Sequence, residues 1–370
     1  MKHLDPYRVP GRLRALAASI REMPLPDEEI VLMEVCGTHT MNIHRHGVRD
    51  LFPKNVRLIS GPGCPVCVTP RSGIDAAIAY AREPHVIVAT FGDMVRVPGS
   101  SSSLEKERAG GADVRIVYSP LDSLSFARDN RSKDIIFMGI GFETTSPAIA
   151  QTVLKAREEG LTNFKVLALG KLIPPAMELL VADPRLRIRG FLAAAHVTTI
   201  IGLKPYEPIA ARGIAVVVAG FEPADILAGV RALLKQISEG RSAVENEYSR
   251  VARPGGNPLA LETLYRVFEP VDSEWLGLGE IPQSGIRIRE ELSDFDAERA
   301  HPVQVEPTRT ETGCRCGEVL MGLIEPPDCA LFATVCTPSS PEGACMVSSE
   351  GTCAAYYKYR RFEEGRLSDD

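Results

Sequence analysis

The chain has 370 residues, of which 44% are apolar and 24% charged, as is typical of a globular protein with two or three domains. The formal net charge is −6 and no run of Lys and Arg marks a phosphate-binding surface, so nucleic acid is not an expected partner. No apolar run approaches the ~18–20 residues that span a bilayer, and the N-terminus lacks the apolar region of a secretion signal. We therefore expect a cytoplasmic protein with no membrane partner.

Short apolar segments alternate with helical patterns from about residue 29 to 240, which predicts parallel β-sheets with helical crossovers. The predicted strands are apolar almost throughout, as expected of strands that helices cover on both faces. They are Ile30–Val35, Val56–Ser60, His85–Thr90, Val114–Tyr118, Asp134–Ile140, Phe164–Leu169, Gly190–Ala195 and Ile214–Ala219. The predicted helices include Ile74–Arg82, Pro147–Glu159, Pro175–Val181 and Pro223–Glu239.

The predicted strands can form one large sheet or two smaller ones, and we favour two α/β domains that divide near residue 160. The first covers residues 1–160 and the second residues 161–252. Arg253–Pro258 is rich in Pro and Gly and is interpreted as a linker or turn, after which the pattern is weak and charged up to about residue 310. A third, C-terminal domain over residues 253–370 carries most of the cysteines.

The nine cysteines form two groups, one near each end of the sequence. Cytosolic cysteines are usually reduced thiols, metal ligands or redox centres, and an odd number argues against a closed disulfide framework. Cysteines that serve only as small core side chains should be scattered along the chain, and these are not. The early group is Cys36, Cys64 and Cys67, and the late group is Cys314, Cys316, Cys329, Cys336, Cys345 and Cys353.

The unusual residues of the α/β region follow the predicted strands, where an open parallel sheet binds its ligands. We expect these segments to converge on one cleft between the two α/β domains. The segments are 36–40, 61–67, 91–94, 141–145, 196–199 and 220–223.

Cys64 and Cys67 form a C-x-x-C in a turn rich in Gly and Pro. This spacing lets two sulfurs meet a metal ion or form a redox disulfide. The alternative is an inert role, such as half of a zinc knuckle, but no second C-x-x-C completes one. Gly61 and Gly63 suit tight backbone geometry beside a ligand.

Cys36 is followed closely by His39. A Cys–His pair can be an activated thiolate with its base, or two metal ligands. The alternative is a half-buried small residue at a strand end, and local sequence does not decide between these.

Three further strand-end residues, Asp93, Glu143 and His196, are candidates for acid–base chemistry or ligand binding. Glu143 precedes a predicted helix, so a favourable interaction with the helix dipole would explain it equally well. His196 is more often a structural histidine than a ligand. His44 and His46 resemble a metal-binding His-x-His, but surface histidines are the safer interpretation.

Six cysteines within residues 314–353 strongly indicate a metal site. Four thiolates can hold a structural zinc ion or an iron–sulfur cluster. The spacings lack the paired C-x-x-C of common zinc ribbons and also the ferredoxin run, so both metals stay open. Four ligands would leave two thiols over, which we take to be Cys314 and Cys316.

Taken together, these motifs resemble the HypD family of hydrogenase maturation factors, in order and over nearly the whole chain. One departure is Ala195 before His196, where the family is expected to have Gly. The matching segments are Cys36–His39, Gly61–Cys67, Thr90–Ser100, Gly141–Thr145, His196–Val197, Ala219–Pro223, Cys314–Leu320 and Cys345–Tyr357.

The resemblance implies a fold of two Rossmann-like α/β domains that face a cleft, plus a C-terminal iron–sulfur domain. It implies a scaffold and redox partner that assembles the Fe(CN)₂CO unit of [NiFe] hydrogenase, rather than a conventional turnover enzyme. The implied partners are a small HypC-type chaperone, which holds the iron together with this chain, and a HypE-type cyanide donor.

The resemblance also implies residue roles. Cys36 would hold the iron, and Cys64 and Cys67 would relay redox state as a dithiol or as metal-binding thiolates. His39, Asp93, Glu143 and His196 would orient ligands or move protons. The implied ligands of a [4Fe–4S] cluster are Cys329, Cys336, Cys345 and Cys353.

Two other functions stay open at this point. One is a stand-alone thiol–disulfide oxidoreductase of Cys64 and Cys67 with a structural metal site. The other is a binding module whose C-terminal metal is purely structural.

Overall fold

We describe a computed structural model of the chain over residues 9–309 and 313–360. The strands in these residues confirm the predicted ones to within a few residues at each end. They are β1 Ile30–Glu34, β2 Val56–Ser60, β3 Val86–Thr90, β4 Val114–Ile116, β5 Asp134–Gly139, β6 Phe164–Ala168, β7 Ile188–Ala194, β8 Ala215–Ala219, β9 Val244–Asn246, β10 Phe268–Trp275 and β11 Gly279–Ile288.

The helices follow the predicted alternation with strands, and several short ones occupy the loops. They are α1 Pro10–Arg21, α2 Gly37–Arg45, α3 Pro65–Val68, α4 Arg71–Arg82, α5 Leu104–Ala109, α6 Ser123–Asp129, α7 Ser146–Glu158, α8 Ile173–Ala182, α9 Ala195–Ile201, α10 Glu207–Ala211, α11 Pro223–Ser238, α12 Pro258–Val267, α13 Ala297–Ala300, α14 Cys316–Leu320, α15 Ala344–Val347 and α16 Thr352–Tyr359. Short 3₁₀ helices cover Val48–Leu51, Gly92–Arg96, Pro120–Asp122, Lys204–Tyr206, Glu290–Phe295 and Pro326–Asp328.

Two parallel sheets form the α/β region. The first, sheet A, has the strand order β2-β1-β7-β8-β9, and the second, sheet B, has the order β4-β3-β5-β6. All pairs within both sheets are parallel. Apart from the edge strands β4 and β9, their strands are almost fully buried, because helices cover both faces. The prediction of two Rossmann-like parallel sheets is therefore confirmed.

We predicted that the chain passes once from the first α/β domain to the second near residue 160, and this is wrong. The chain starts in sheet A with β1 and β2, crosses to sheet B for β3 to β6, and returns to sheet A at β7. The physical reason is that β1 pairs with β7, which joins residues from both predicted ranges, 1–160 and 161–252. Local patterns located each strand but carried no information on this long-range pairing.

Residues 258–288, where the sequence pattern is weak, form α12 and the antiparallel hairpin of β10 and β11. The hairpin carries Trp275, which is fully buried, stacks on Phe142 at 6.0 Å and donates from its indole N–H to Ser284 at 2.8 Å. The backbone N–H of Leu172 donates to the Ser284 carbonyl at 2.8 Å. The hairpin thus packs against the loop that follows β6, the last strand of sheet B along the chain.

The described part of the predicted third range, 253–370, does not have a separate core. Leu264, Phe268 and Ile286 belong to one hydrophobic cluster with the strands of sheet B. Trp275 and Cys345 belong to another cluster, which also contains residues of both sheets. In residues 9–309 and 313–360, no helix combines the length and apolar character needed to cross a membrane.

Candidate functional site

The loops after β1 and β2 are joined through their backbones. The Gly37 N–H donates to the Gly63 carbonyl oxygen at 2.9 Å. A Cβ atom on Gly63 would lie 2.0 Å from the backbone nitrogen of Cys36, a distance that side-chain carbons do not tolerate. Glycine at this position therefore permits the approach that sets Cys36 beside the turn Cys64–Cys67.

Cys36 is the N-cap residue of α2, and its thiol is buried. Burial raises the pKa of this thiol to about 12. The nearby carboxyl groups of Glu350 and Glu34 act in the same direction, whereas hydrogen bonds from the backbone N–H groups of His39 and Thr38 lower it. The free thiol is therefore protonated at neutral pH, and a soft metal ion would have to displace its proton.

Glu34 lies at the end of β1 and is fully buried. Its carboxyl group accepts hydrogen bonds from the Cys36 N–H at 2.9 Å and from the Thr40 hydroxyl at 2.5 Å. Its backbone carbonyl accepts from the Gly61 N–H at 2.8 Å. Burial is the main influence on the Glu34 carboxyl and raises its pKa to about 7. The Glu34 carboxyl group thus binds both the backbone of Cys36, the N-cap residue, and the side chain of Thr40 in the first turn of α2.

The C-x-x-C turn begins the four-residue helix α3. Cys64 is its N-cap, and the Cys64 Sγ accepts from the Cys67 N–H at 3.4 Å. Cys64 and Cys67 are 3% and 0% exposed, so neither is directly open to solvent. The Cys67 Sγ lies 4.0 Å from the carbonyl oxygen of Ala344, and its side chain contacts that of Cys345. The early and late cysteine groups therefore meet in the fold.

Most of the cysteines share one hydrophobic cluster. Cys345 has side-chain contacts with Cys353, Cys316 and Cys67, and Cys336 is in electrostatic range of Cys353. Cys329 is buried outside this cluster, and the described residues give its thiol no hydrogen bond to another cysteine. The cysteines in or packed against the cluster are Cys36, Cys64, Cys67, Cys314, Cys316, Cys336, Cys345 and Cys353.

Three of the four predicted cluster ligands thus belong to this hydrophobic cluster, and Cys329 is buried outside it. Cys329 begins a tight turn in which the Phe332 N–H donates to the Cys329 carbonyl at 2.9 Å and the Cys336 N–H donates to the Leu331 carbonyl at 2.8 Å. In residues 9–309 and 313–360, no group of three or more His, Cys, Asp or Glu side chains is arranged to hold a metal ion. The soft, buried donors that an iron–sulfur cluster requires are nevertheless gathered in one region.

The ring of His39 is buried beside the loop after β8. Its Nε2 lies 2.8 Å from the Gly220 carbonyl oxygen and 3.2 Å from that of Ala219, so Nε2 carries the hydrogen. Burial lowers the His39 pKa to about 4, which keeps the ring neutral at pH 7. The buried Nδ1 has no partner among the described residues, and it is available as an acceptor or ligand.

His196 is the second residue of α9, which begins directly after β7, and it is exposed, unlike His39. Its ring stacks on Phe221 with centroids 3.9 Å apart, and the same Phe221 ring lies 5.0 Å from His39. Both predicted histidines therefore contact the same aromatic side chain, Phe221, at the carboxyl ends of the strands of sheet A.

Glu143 follows β5 and is buried. One carboxyl oxygen accepts from the Ile173 N–H at 3.1 Å, at the start of α8, and the other has no partner among the described residues. The hydrogen bond of Glu143 is therefore made at the start of α8, and its interaction with the dipole of α7 stays an alternative. Burial raises its pKa to about 7. The buried hydroxyl of Tyr206 is in electrostatic range of both Glu143 and Cys36.

Asp93 is exposed in the 3₁₀ helix after β3, and in the described residues no hydrogen bond or ion pair joins it to the cysteines. His44 was expected at the surface but is 4% exposed, with its ring 5.5 Å from that of Tyr356 in α16. That expectation is wrong because α16 packs on α2 and covers His44.

Thr38, Arg96 and Arg49 make four polar contacts with the C-terminal segment. Thr38 donates to Glu350 at 2.7 Å. Arg96 donates to the carbonyl oxygens of Pro338 and Val347 at 3.1 and 3.2 Å. Arg49 forms a 3.1 Å ion pair with Glu325. These contacts hold the late cysteines against the strand-end loops.

Comparison with known proteins connects this arrangement to a family. The model of HypD, described as "Hydrogenase formation hypA family", matches residues 12–360. The chain is 46% identical over 369 residues to the hydrogenase maturation factor HypD of Azotobacter vinelandii, covering 98% of this chain and 97% of that one. The chain belongs to the HypD family. It is 43% identical to the HypD of Cupriavidus necator, with 98% of both chains covered. A putative hydrogenase expression/formation protein of Methanocaldococcus jannaschii is 42% identical over 90% of this chain and 93% of that one.

Sequence reasoning missed several residues that shape this HypD site. Glu34 could have been found, because it is the one acidic residue in an otherwise apolar strand. Glu350 lies inside a matching family segment but has no chemical signal of its own. Tyr206 and Lys171 carried no local signal. Lys171 is buried with its Nζ 2.5 Å from the Ser273 hydroxyl, and burial lowers its pKa to about 8.

Proposed function

We propose that this HypD-family chain acts in [NiFe] hydrogenase maturation, as a scaffold and redox partner for assembly of the Fe(CN)₂CO unit. The observation that carries the proposal is the contact between Cys67 and Cys345. It links the strand-end site of Cys36 to the buried cysteines of the C-terminal segment. An iron-bound unit and its source of electrons would need this proximity.

In this proposal Cys36 holds the iron that is being assembled. Its position at the start of α2, fixed by Glu34, gives one defined place for a soft thiolate ligand. The neutral ring of His39, with its free buried Nδ1, can accept a hydrogen bond or a proton from a group bound at Cys36. Glu143, whose pKa lies near neutrality, can hold or release a proton on the facing sheet.

Cys64 and Cys67 would relay electrons as a dithiol that closes to a disulfide. The Cys67 N–H already donates to the Cys64 sulfur, so the two sulfurs are neighbours in the turn. The pair is buried, so outside disulfides cannot reach it directly. This burial favours an internal relay over the alternative of a stand-alone oxidoreductase.

A [4Fe–4S] cluster fits the donor chemistry of the C-terminal segment. Cys336, Cys345 and Cys353 supply thiols near one another, and Cys329 would complete the set if its turn closes on the cluster. Such a cluster supplies single electrons when it is bound. The residues around it exclude water and keep Cys345 in contact with Cys67.

We further propose a HypC-type chaperone and a HypE-type cyanide donor as partners. The support is the family membership together with the geometry at Cys36. One protein thiolate leaves most coordination positions of an iron ion open, so a second protein that contributes a ligand would secure the iron. The strand-end position of the site, beside the exposed His196, suits access by such partners.

The test is anaerobic purification of the full chain with its HypC-type partner, followed by iron, sulfide and infrared analysis. We expect a brown protein with sulfide, and cyanide and CO stretching bands from the complex. Cys36→Ser should keep the fold, since a hydroxyl can also accept hydrogen bonds at the start of α2, but should lose those bands.

The matched comparison is Cys353→Ser, which should lose sulfide and visible colour. A colourless wild-type protein with stoichiometric zinc would defeat the cluster. Unchanged infrared bands in Cys36→Ser would remove Cys36 from the iron site.

A further inference from the structure

Arg49 is a nearly buried cation that lies between the Cys36 site and the C-terminal segment. It belongs to the 3₁₀ helix Val48–Leu51, and its side chain is 12% exposed. One arm of its guanidinium group forms the 3.1 Å ion pair with Glu325, and the other donates to the Ser60 hydroxyl at 3.4 Å. The buried Nε has no hydrogen-bond partner in the described part of the chain. The guanidinium group therefore contacts both regions and keeps one donor in reserve.

Ser60 connects Arg49 to the residue that holds Cys36. The Ser60 hydroxyl, at the end of β2, hydrogen-bonds to the Glu34 carboxyl group, which also accepts from the Cys36 N–H at 2.9 Å. Ser60 and Glu34 are both buried. Because the Ser60 oxygen accepts from Arg49, its own hydrogen is free to point at Glu34. This series of contacts ends at the backbone of Cys36.

Glu325 connects Arg49 to the turn of Cys329. Glu325 is the N-cap residue of the 3₁₀ helix Pro326–Asp328, and Cys329 is the residue that ends this helix. The Cys329 N–H donates to the Pro326 carbonyl oxygen at 3.1 Å. If Cys329 moved toward the other cysteines, as the proposed cluster requires, this short helix would move with it and would carry Glu325 away from Arg49.

Two carboxyl groups compete for the charge of Arg49. Glu325 contacts the guanidinium group directly, whereas Glu34 lies behind Ser60 but is also in electrostatic range. Arg49 lines a cavity of about 80 Å³ together with Ser60, Glu325 and Thr352, which leaves it room to shift. A buried cation without a counter-charge is costly, so Arg49 should move closer to Ser60 and Glu34 when Glu325 withdraws.

We propose that Arg49 is a positioning residue for Cys36, and that its ion pair with Glu325 sets how firmly it acts. While Glu325 is in contact, the charge of Arg49 is shared between the two regions. When Glu325 withdraws, the charge strengthens the hold of Glu34 on the Cys36 backbone. This link is a property of the chain itself. It rests on the proposed function only for its use, which is to fix Cys36 for iron once the turn of Cys329 has closed.

A purely structural role for the ion pair predicts the opposite result at Cys36. If Arg49 and Glu325 only fasten the C-terminal segment to the early loops, loss of Glu325 should loosen both regions together. In the proposed link, loss of the Glu325 charge loosens the turn of Cys329 and tightens the contact of Glu34 with Cys36. The sign of the change at Cys36 therefore separates the two roles.

The test uses the full chain, labelled with ¹⁵N-cysteine, reduced, and treated with a chelator so that no paramagnetic metal broadens its NMR signals. The amide signals of Cys36 and Cys329 are assigned by their loss in Cys36→Ser and Cys329→Ser. Hydrogen exchange at the Cys36 amide reports its bond to Glu34, and exchange at the Cys329 amide reports its bond to Pro326. One experiment thus measures both ends of the link.

Glu325→Gln is the decisive variant. Its amide oxygen can still accept the hydrogen bond that caps the short helix, but it carries no charge for Arg49. We expect exchange at Cys329 to quicken about threefold, as for loss of a partly exposed ion pair, and exchange at Cys36 to slow about threefold. The Cys36 amide proton should also move downfield, because a hydrogen bond to a more strongly charged acceptor is shorter.

Arg49→Gln removes the link itself. Exchange at Cys36 should quicken about tenfold, because the Glu34 carboxyl loses its nearby cation. Adding Glu325→Gln should then change the Cys36 rate by less than about 1.5-fold, since two residues are no longer coupled once the residue that joins them is gone. Arg49→Lys, which keeps the charge, should restore most of the protection at Cys36.

The matched control is Arg57→Gln. Arg57 lines the same cavity, but its side chain is 48% exposed and pairs with Glu29 at 3.4 Å. This variant removes a positive charge from the cavity without touching Ser60 or Glu34. Exchange at Cys36 and Cys329 should stay within about twofold of the wild type.

Unchanged or faster exchange at Cys36 in Glu325→Gln would overturn the link, as would a Glu325→Gln effect on Cys36 that persists in Arg49→Gln. Exchange in Arg49→Lys as fast as in Arg49→Gln would overturn the role of the charge. Glu325 is 42% exposed, so the decisive variant folds even if Arg49→Gln does not. Failure of the proposed function would show separately, as missing sulfide and infrared bands, with the response of Cys36 to Glu325→Gln unchanged.

Discussion

The two cysteine groups are positioned in different ways. The early group lies on strand-end loops whose backbones bond to each other, as Gly37 does to Gly63. The late group lies on short helices and turns that side-chain contacts hold in place, such as Thr38 with Glu350 and Arg96 with two carbonyls. The early site is therefore set by the sheet itself, whereas the late one depends on a few polar contacts to that sheet.

The largest expected effect tests the backbone contact of the early loops. Gly63→Ala would place a Cβ atom 2.0 Å from the Cys36 nitrogen and 2.3 Å from the Val35 carbonyl carbon. Because both are backbone atoms that cannot swing away, the loops must separate. We expect a loss of about 4 kcal/mol or more in the free energy of unfolding, measured by urea denaturation.

The matched control is Gly255→Ala, where a Cβ atom would meet nothing within 4 Å. It should change stability by less than about 1 kcal/mol. Equal stability of the two variants would show that the β1 and β2 loops are not fixed by this approach.

A smaller effect is expected at Glu34, which fixes Cys36 through a side chain rather than through the backbone. Glu34→Ala leaves the Cys36 N–H and the Thr40 hydroxyl, both buried donors, without their acceptor. We expect a loss of about 2–3 kcal/mol in thermal or urea unfolding. Glu34→Gln keeps one acceptor oxygen and should lose less than half as much.

If Glu34→Gln is as destabilising as Glu34→Ala, the charge of Glu34 rather than its hydrogen bonding would hold the loop. That result would weaken the contrast between a site set by backbone geometry and one set by polar contacts.

The same contrast explains what the sequence could predict. The strands were placed correctly because each is a short apolar segment, and the early residues were placed because they follow such strands. The pairing of β1 with β7 was not predicted, since it joins residues far apart in the chain. The hairpin of β10 and β11 was missed because its exposed, charged positions hide its alternation.

The candidate site likewise has residues that local motifs predicted and contacts that depend on long-range packing. Cys36, Cys64, Cys67 and His39 could be named from local motifs, and the structure brings them to the same edge of sheet A. The contact of Cys67 with Cys345 could not be predicted, because it depends on how the C-terminal segment docks. The position of Cys329 outside the shared cluster had no sequence signal either.

A third test uses the pH dependence of a strand-end carboxyl group. Burial raises the Glu143 pKa from 4.5 to about 7, so the folded state prefers the protonated form. The stabilising contribution of Glu143 is therefore fully present below about pH 4.5 and is lost as the pH rises through 7. Relative to Glu143→Gln, which stays neutral, the wild type should lose about 2 kcal/mol of stability between pH 5 and 7.

Urea unfolding of the wild type and of Glu143→Gln across this pH range measures the difference between their free energies of unfolding. The contributions of the other titrating groups are the same in both proteins and cancel in this difference. The control is Glu158→Gln at the end of α7, since the Glu158 side chain is 70% exposed. A constant difference between wild type and Glu143→Gln would mean that water reaches Glu143 and that its environment is not the buried one described.

The smallest expected effect concerns the docking of the late group. Arg96→Ala removes the donors to the Pro338 and Val347 carbonyls, which lie on either side of Cys345 in the C-terminal segment. The global free energy of unfolding should fall by only about 1 kcal/mol, because both carbonyls can turn to water. Amide hydrogen exchange in residues 338–353 should nevertheless quicken about fivefold, since the segment depends on few such contacts.

Arg108→Ala, at an exposed position at the end of α5, serves as the control and should leave exchange in this segment unchanged. Faster exchange in the early loops as well as in residues 338–353 would mean that the two cysteine groups loosen as one unit. Faster exchange in residues 338–353 alone would support a late group that can open while the Cys36 site stays intact. A segment of that kind could admit or release the proposed cluster without unfolding the sheet that carries Cys36.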